Sequence, residues 1–252
     1  MKPALPRPVK ELLQTAFAGV AGLSITGAMS PVVWGAAALR GPRATDPLLD
    51  LWARSMLASA GVVTSATGVD QVPEGHCIFV CNHQSHYDAF LIFKHVPKHI
   101  RYVAKRELAR IPVFGHAVRA TGNIVVDRTG GSADRDRLRE AVSAVQERVS
   151  VMFFPEGTRS LDGVLRPFKK GAAMLAIQSG VPVVPMAVSG TRLILPKGGR
   201  RVRWGQRAVL VVGKPISPVG LQPKDRDAFT QRLQGAVSEL YAEARERSGD
   251  LG

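Results

Sequence analysis

The stretch Asn82-His83-Gln84-Ser85-His86-Tyr87-Asp88 sets an imidazole and a carboxylate five residues apart, directly behind the apolar run Cys77-Ile78-Phe79-Val80-Cys81. Histidine is the side chain whose ordinary pKa suits proton transfer near neutrality. A carboxylate on one ring nitrogen fixes the tautomer and makes the other nitrogen a better base. His83 is thus a candidate general base for a hydroxyl or a water, with Asp88 as its orienting partner. Ser85 and Asp88 also have the spacing of a capping box, which predicts a helix starting at Ser85 with Asp88 in its first turn. Spacing alone leaves a catalytic pair and a capped helix beside a loop histidine equally open. His86 competes with His83 for the role but falls inside the expected helix.

A second set of groups suits an anion. Phe153-Phe154-Pro155-Glu156-Gly157-Thr158-Arg159-Ser160 follows another apolar run. Gly157 permits a tight turn that exposes backbone N–H groups, and the planar fork of Arg159 matches a phosphate. A lone Gly-Thr-Arg reads more simply as a surface turn. Lys105-Arg106 and Arg128 stand at the ends of two further apolar runs, so several cations could converge on one anionic ligand. Lys169-Lys170 opens a helix and reads as a solvated basic face.

Other chemistries find little support. There is no GxSxG nucleophile elbow, no Walker A loop and no GxGxxG behind the first strand. Cys77 and Cys81 lie four residues apart on one expected strand, roughly 13 Å along it. That is too far for a disulfide between them, and the nearby histidines make no zinc spacing, so both read as buried small hydrophobes.

The elements that must position these groups follow from periodicity. Strands are expected at His76–Cys81, Ile100–Ala104, Gly122–Val126, Ser150–Phe154, Val181–Val188 and Ala208–Val212. Helices are expected near Ser85–His95, Pro112–Ala120, Ala133–Glu147 and Lys169–Ser179. A closing amphipathic helix over about Lys224–Arg247 carries Phe229, Leu233, Val237, Leu240 and Tyr241 on one face. The alternation predicts an α/β domain with a mixed, largely parallel sheet flanked by helices. In open sheets of this kind, functional groups gather beyond the carboxyl ends of the strands, where His83, Lys105, Arg128 and Arg159 all fall.

The first 68 residues differ in texture. No charged residue occurs from Leu12 to Leu39, a length that could span a bilayer. Pro31 and several glycines argue against one straight span. Lys2, Arg7 and Lys10 precede the stretch, and Arg40, Arg43 and Arg54 follow it. Cations on both flanks favour a hairpin or re-entrant pair dipping into one leaflet from the cytoplasmic side. Leu49, Trp52, Met56 and Ala60 then mark an amphipathic helix suited to a membrane surface. Residues 1–68 are therefore expected to be membrane-associated helices and residues 69–252 the α/β domain. A net charge of +14 in 252 residues asks for an anionic partner: membrane, nucleic acid or phosphorylated small molecules.

Together these blocks resemble the lysophosphatidic acid acyltransferases, the glycerolipid acyltransferases with an HxxxxD motif. Four family blocks appear in order: Asn82 to Asp88; Lys105-Arg106-Glu107-Leu108 continuing through Pro112, Gly115, Gly122 and Asp127-Arg128; Phe154 to Ser160; and Val181-Pro182-Val183-Val184-Pro185. The resemblance covers about residues 75 to 215. It implies an α/β acyltransferase domain preceded by a membrane-associated helical pair. It implies acyl-CoA or an acyl carrier protein thioester as donor, 1-acylglycerol 3-phosphate as acceptor, and phosphatidic acid as product. It makes His83 the base, Asp88 its partner, and Lys105, Arg128, Glu156, Gly157, Thr158 and Arg159 the phosphate-binding residues. No metal, bound cofactor or nucleic-acid partner is implied, and the expected location is the cytoplasmic face of the inner (plasma) membrane. Another lysophospholipid or a lyso-ornithine lipid would suit the same chemistry as acceptor. A non-catalytic basic protein binding membrane or nucleic acid would explain the charge but leave the ordered blocks as coincidence.

Overall fold

The structure, a computed structural model, describes residues 7–126 and 149–250, with the side chains of residues 7, 8, 104, 105 and 126 outside the description. Arg128 and the helix expected at Ala133–Glu147 therefore lie outside the described residues. Among those described, strands β1 (Val63–Thr67), β2 (Ile78–Cys81), β3 (Ile100–Lys105), β4 (Ile124–Val126), β5 (Ser150–Phe153), β6 (Val183–Ser189) and β7 (Arg207–Val212) form one sheet in the order β1-β7-β6-β2-β5-β3-β4. Neighbours run parallel except β6 and β7. The mixed, largely parallel sheet expected from the sequence is present.

The helices are α1 (Arg7–Arg40), α2 (Asp46–Ala58), α3 (Tyr87–His95), α4 (Phe114–Ala120), α5 (Gly171–Ser179), the single turn α6 (Thr191–Ile194) and α7 (Arg226–Ser248). β2 is apolar at every position because both its faces are covered. Cys77, Phe79 and Cys81 point into a core shared with α2 and α3, while Ile78 and Val80 point into one shared with α5 and α7. The two thiols are fully buried, and burial pushes Cys77 up to about 11.

This layering makes the cleft. β2 and β5 are neighbours. The chain leaves β2 toward the α3 face and leaves β5 toward the α5 face. Two parallel strands whose continuations part to opposite faces open a crevice beyond their carboxyl ends. The His83 and Arg159 loops are the two lips of that crevice.

The N-terminal region differs from expectation in two ways. The stretch Leu12–Leu39 does not fold back on itself: it lies within the single 34-residue helix α1, with Pro31 inside it. Pro31 removes one bond from the helix ladder, and Ser30 adds a side-chain bond to the carbonyl of Thr26 at 2.6 Å. The helical pair is instead α1 with α2, turned at Gly41 (φ 79°). Val63–Thr67, which carries only one large apolar residue, proves to be an edge strand on β7, so the sheet begins before residue 69.

α1 is long and apolar enough to cross a membrane by length and composition, with 22% of its most apolar window buried. Leu12, Leu13, Phe17, Val20, Leu23, Trp34 and Leu39 are among its exposed side chains. It also rests on the domain, its amino-terminal half touching Val202 and Trp204 and its carboxyl half touching His116 through Trp34. The start of α2 is tied to β3 by Arg101, whose buried guanidinium bonds Asp46 at 3.1 Å and the Pro42 carbonyl at 2.8 Å.

Candidate active site

His83 sits immediately beyond β2, and its Nδ1 lies 2.7 Å from Asp88 Oδ2. The imidazole stacks on Phe154 with ring centroids 4.0 Å apart and planes 15° from parallel. Phe154 in turn packs against Tyr102. With Nδ1 facing a carboxylate and one ring face on Phe154, the free functional atom is Nε2, which has no partner among the described residues. The side chain of His83 is 18% exposed and that of Asp88 fully buried, so the base reaches the cleft and its partner does not.

Asp88 is held as an acceptor from four directions. Oδ2 takes the His83 ring, the N–H of Gln84 at 2.7 Å and the N–H of Ser85 at 3.0 Å. Oδ1 takes the hydroxyl of Thr191 at 2.5 Å. These bonds fix the carboxylate in the orientation that faces the His83 ring. The expected capping box is half realised. Asp88 accepts from the Ser85 N–H, while the helix itself starts at Tyr87 and the Ser85 hydroxyl donates to the Leu195 carbonyl at 2.8 Å. Capping and orientation of His83 are therefore done by the same carboxylate.

The loop around this pair is fastened at each end. Asn82 exchanges two bonds with the Val188 backbone, at 2.9 and 2.8 Å, and so extends the β2–β6 pairing with a side chain. The N–H of Ser160 donates to the His83 carbonyl at 2.7 Å, tying the two lips together. Gln84 bonds the Tyr241 hydroxyl of α7, which donates to the Gly163 carbonyl at 2.6 Å.

Of the residues expected to bind phosphate, the structure separates one from the rest. Glu156 turns inward: it is 5% exposed, Oε1 accepts from the His83 N–H at 2.6 Å and Oε2 from the Arg166 N–H at 2.9 Å. A carboxylate with both oxygens engaged offers a phosphate only repulsion, so its place is as a brace for the His83 backbone. Burial pushes its pKa up, against the lowering pull of those two bonds. Gly157 has φ 72°, and a Cβ there would stand 2.8 Å from Lys169 Cε and 2.9 Å from its Nζ. Thr158 is exposed and accepts from Lys197 Nζ at 2.8 Å. Arg159 is half-buried with no hydrogen-bond or ion-pair partner among the described residues. Burial lowers its pKa, while the charge of Asp88 opposes that shift. Lys105 ends β3.

Three contributors escaped the sequence reading. Thr191 follows β6 just as His83 follows β2, and the strand-end rule applied to Val183–Ser189 points to it. Lys197 carried no signal beyond its charge. Lys169 reads as a solvated cation in sequence, and only the Gly157 turn beneath it shows its position. Its neighbour Lys170 does pair at the surface, with Asp227 at 2.8 Å.

Comparison with known proteins gives the family. The acyltransferase family model matches residues 64–189. The chain is similar to the 1-acyl-sn-glycerol-3-phosphate acyltransferase of Escherichia coli (strain K12), 39% identical over 181 residues, which are 69% of this chain and 71% of that one. It is similar to the protein of the same name from Cocos nucifera, 41% identical over 66% of this chain and 51% of that one. The matched stretch spans about half the length of the first plant relatives, 45% for the chloroplastic protein of Brassica napus. In three dimensions it is similar to the 1-acyl-sn-glycerophosphate acyltransferase of Thermotoga maritima, with a TM-score of 0.78, 27% identity, and coverage of 93% of this chain and 98% of that one. With the family model across half its length, the His83–Asp88 pair in the crevice and a relative of this identity, the chain belongs to the acyltransferase family whose members include the 1-acyl-sn-glycerol-3-phosphate acyltransferases.

Proposed function

We propose that this chain transfers a fatty acyl group from acyl-CoA or an acyl carrier protein thioester to the free hydroxyl of 1-acylglycerol 3-phosphate, giving phosphatidic acid. The observation that carries this reading is the pairing, across one crevice, of a base with an open Nε2 and a guanidinium with no protein partner among the described residues. His83 Nε2 takes the hydroxyl proton as the oxygen attacks the thioester carbonyl carbon. Asp88 holds the ring by Nδ1 and stabilises the imidazolium. The carbon–sulfur bond then breaks, and the departing thiolate takes the proton from His83. Attack is direct and forms no acyl-enzyme. Arg159, with Lys105, Arg128, Gly157 and Thr158, holds the acceptor phosphate and so places its hydroxyl beside His83. None of these steps calls on a metal or a bound cofactor.

The same reading places the protein on the cytoplasmic face of the inner membrane. Support comes from the exposed apolar side of α1 and the cations around it. Both the acceptor and the product are lipids of that surface.

The deciding experiment incubates purified protein with mixed thioester donors and a panel of lyso-lipids, followed by mass spectrometry of the products. Phosphatidic acid is expected from 1-acylglycerol 3-phosphate. If another lysophospholipid or a lyso-ornithine lipid is acylated while lysophosphatidic acid is not, the acceptor assignment is wrong. If nothing is acylated, the catalytic reading itself is wrong.

A further inference from the structure

The segment between α6 and β7 runs from the active-site crevice to the amino-terminal half of α1. At the crevice the Leu195 carbonyl accepts from Ser85 and Lys197 reaches Thr158. At the far end Trp204 donates to the Gln14 carbonyl at 3.2 Å, meets the Phe17 ring at 5.8 Å and covers Gly61, where a Cβ would stand 2.8 Å from the indole. Thr15 bonds the Val202 carbonyl at 3.4 Å. Burial alternates along the segment and into the first residue of β7: Val202, Trp204 and Gln206 are half-buried, while Arg201, Arg203 and Arg207 are exposed. None of these three arginines has an ion-pair partner among the described residues. The segment is therefore a strap that is fixed by its inward residues and lines up unpaired cations outward.

What lies beside those cations selects the ligand. Leu12 is 66% exposed, Leu13 54%, Phe17 57% and Val20 66%, all on the part of α1 that the strap grips. Unpaired arginines next to bare apolar surface match one kind of partner well, a bilayer that offers anionic headgroups above acyl chains. A nucleic-acid duplex would satisfy the arginines and leave the apolar face against water. β7 runs antiparallel to β6, so its first residue, Arg207, stands at the same end of the sheet as the carboxyl end of β6 and the crevice.

We infer that the strap carrying Arg201, Arg203 and Arg207 is a docking surface for anionic lipid headgroups, which sets the mouth of the crevice at headgroup depth beside α1. The inference rests on the membrane placement proposed above, and goes beyond it by assigning the contact to residues outside the N-terminal helices. Its test is binding without turnover, so a failed acyl-transfer assay leaves it standing.

The experiment measures binding of the full chain to vesicles of phosphatidylcholine alone and of phosphatidylcholine mixed with phosphatidylglycerol. The triple variant Arg201→Gln, Arg203→Gln and Arg207→Gln is expected to lose about tenfold or more in affinity for the mixed vesicles at low salt, with binding to phosphatidylcholine unchanged. A control with equal loss of charge, Lys214→Gln, Lys224→Gln and Arg232→Gln, removes exposed cations beyond the other end of β7 and on α7. It is expected to bind mixed vesicles nearly as the unaltered chain does. Equal losses in the two triples would mean that net charge acts and the strap does not. Unchanged vesicle binding by the strap triple overturns the inference, as does a loss confined to duplex DNA.

Discussion

The two lips of the crevice treat their polar groups in opposite ways. Beyond β2, each polar atom of Asp88 and the inner nitrogen of His83 are engaged by protein, and within that pair Nε2 is left over. Beyond β5, Arg159 is left whole, with no partner to bond among the described residues, and Lys197 reaches the loop through Thr158. A base must meet its proton at a fixed distance and angle, so its surroundings have to be rigid before substrate arrives. A phosphate brings its own charge and three acceptor oxygens, so its site needs only open donors. If this contrast is right, damage to the first lip falls on kcat and damage to the second on KM.

The largest effect is expected at the one open atom. His83→Ala should lower kcat by about 10³-fold or more, with a cooperative thermal transition retained because Asp88 Oδ2 keeps the Gln84 and Ser85 N–H groups. Wild-type turnover in this variant would remove His83 from the mechanism. Arg159→Ala should raise KM for lysophosphatidic acid by about 10- to 100-fold with a smaller change in kcat. Arg159→Lys keeps the charge without the fork and should recover only part of the loss. Titration of KM over a series of acceptors with and without the phosphate tests this directly, since Arg159→Ala should not distinguish acceptors that lack it. A kcat effect as large as that of His83 would erase the contrast between the lips.

Thr191 sharpens the contrast, because it acts on the base from a distance. Its hydroxyl is the sole side-chain donor to Asp88 Oδ1 among the described residues. Thr191→Val keeps the shape and leaves that buried oxygen unbonded, a cost of about 1–3 kcal/mol in the setting of the carboxylate. We expect kcat to fall about tenfold with KM unchanged, and Thr191→Ser to restore it. A shift of the acid limb of the kcat–pH profile in Thr191→Val separates an effect through Asp88 from simple loss of packing, which would leave the profile in place.

The sequence made the first lip more legible than the second. His83 and Asp88 sit five residues apart in one segment, and a local pattern carries a local contact. The sheet was legible for a similar reason. Its central strands are buried on both faces and read as plain apolar runs, whereas β1, at an edge and rich in small and polar residues, gives no such signal. Two of the missed residues act across long stretches of chain: Thr191 reaches Asp88 from 103 residues away and Lys197 reaches Thr158 from 39. Glu156 was misplaced for a related reason. Its position in the Pro-Glu-Gly-Thr-Arg run suggests a ligand contact, while its partner, the His83 backbone 73 residues earlier, is visible only once β2 and β5 are known to be neighbours. The single long helix α1 was missed because Pro31 reads as a breaker and the cations on both flanks favour a hairpin.

Glu156 supplies the smallest and most discriminating test, because it lies between the lips and bonds both. Burial raises its pKa above that of an exposed glutamate even though two backbone N–H groups pull it down. In the window from the ordinary glutamate value up to that raised value, the folded chain therefore holds more protons than the unfolded one. Stability from this group is full below the window and is lost as pH rises through it. Glu156→Gln has no proton to release and leaves one of the two N–H groups facing an amide, so it should be less stable throughout. Its stability should also lack the pH slope. Urea midpoints of both proteins over about pH 4 to 7 should then show the gap between them shrinking as pH rises. A gap that widens instead would mean that the bonds to the His83 and Arg166 backbones outweigh the burial.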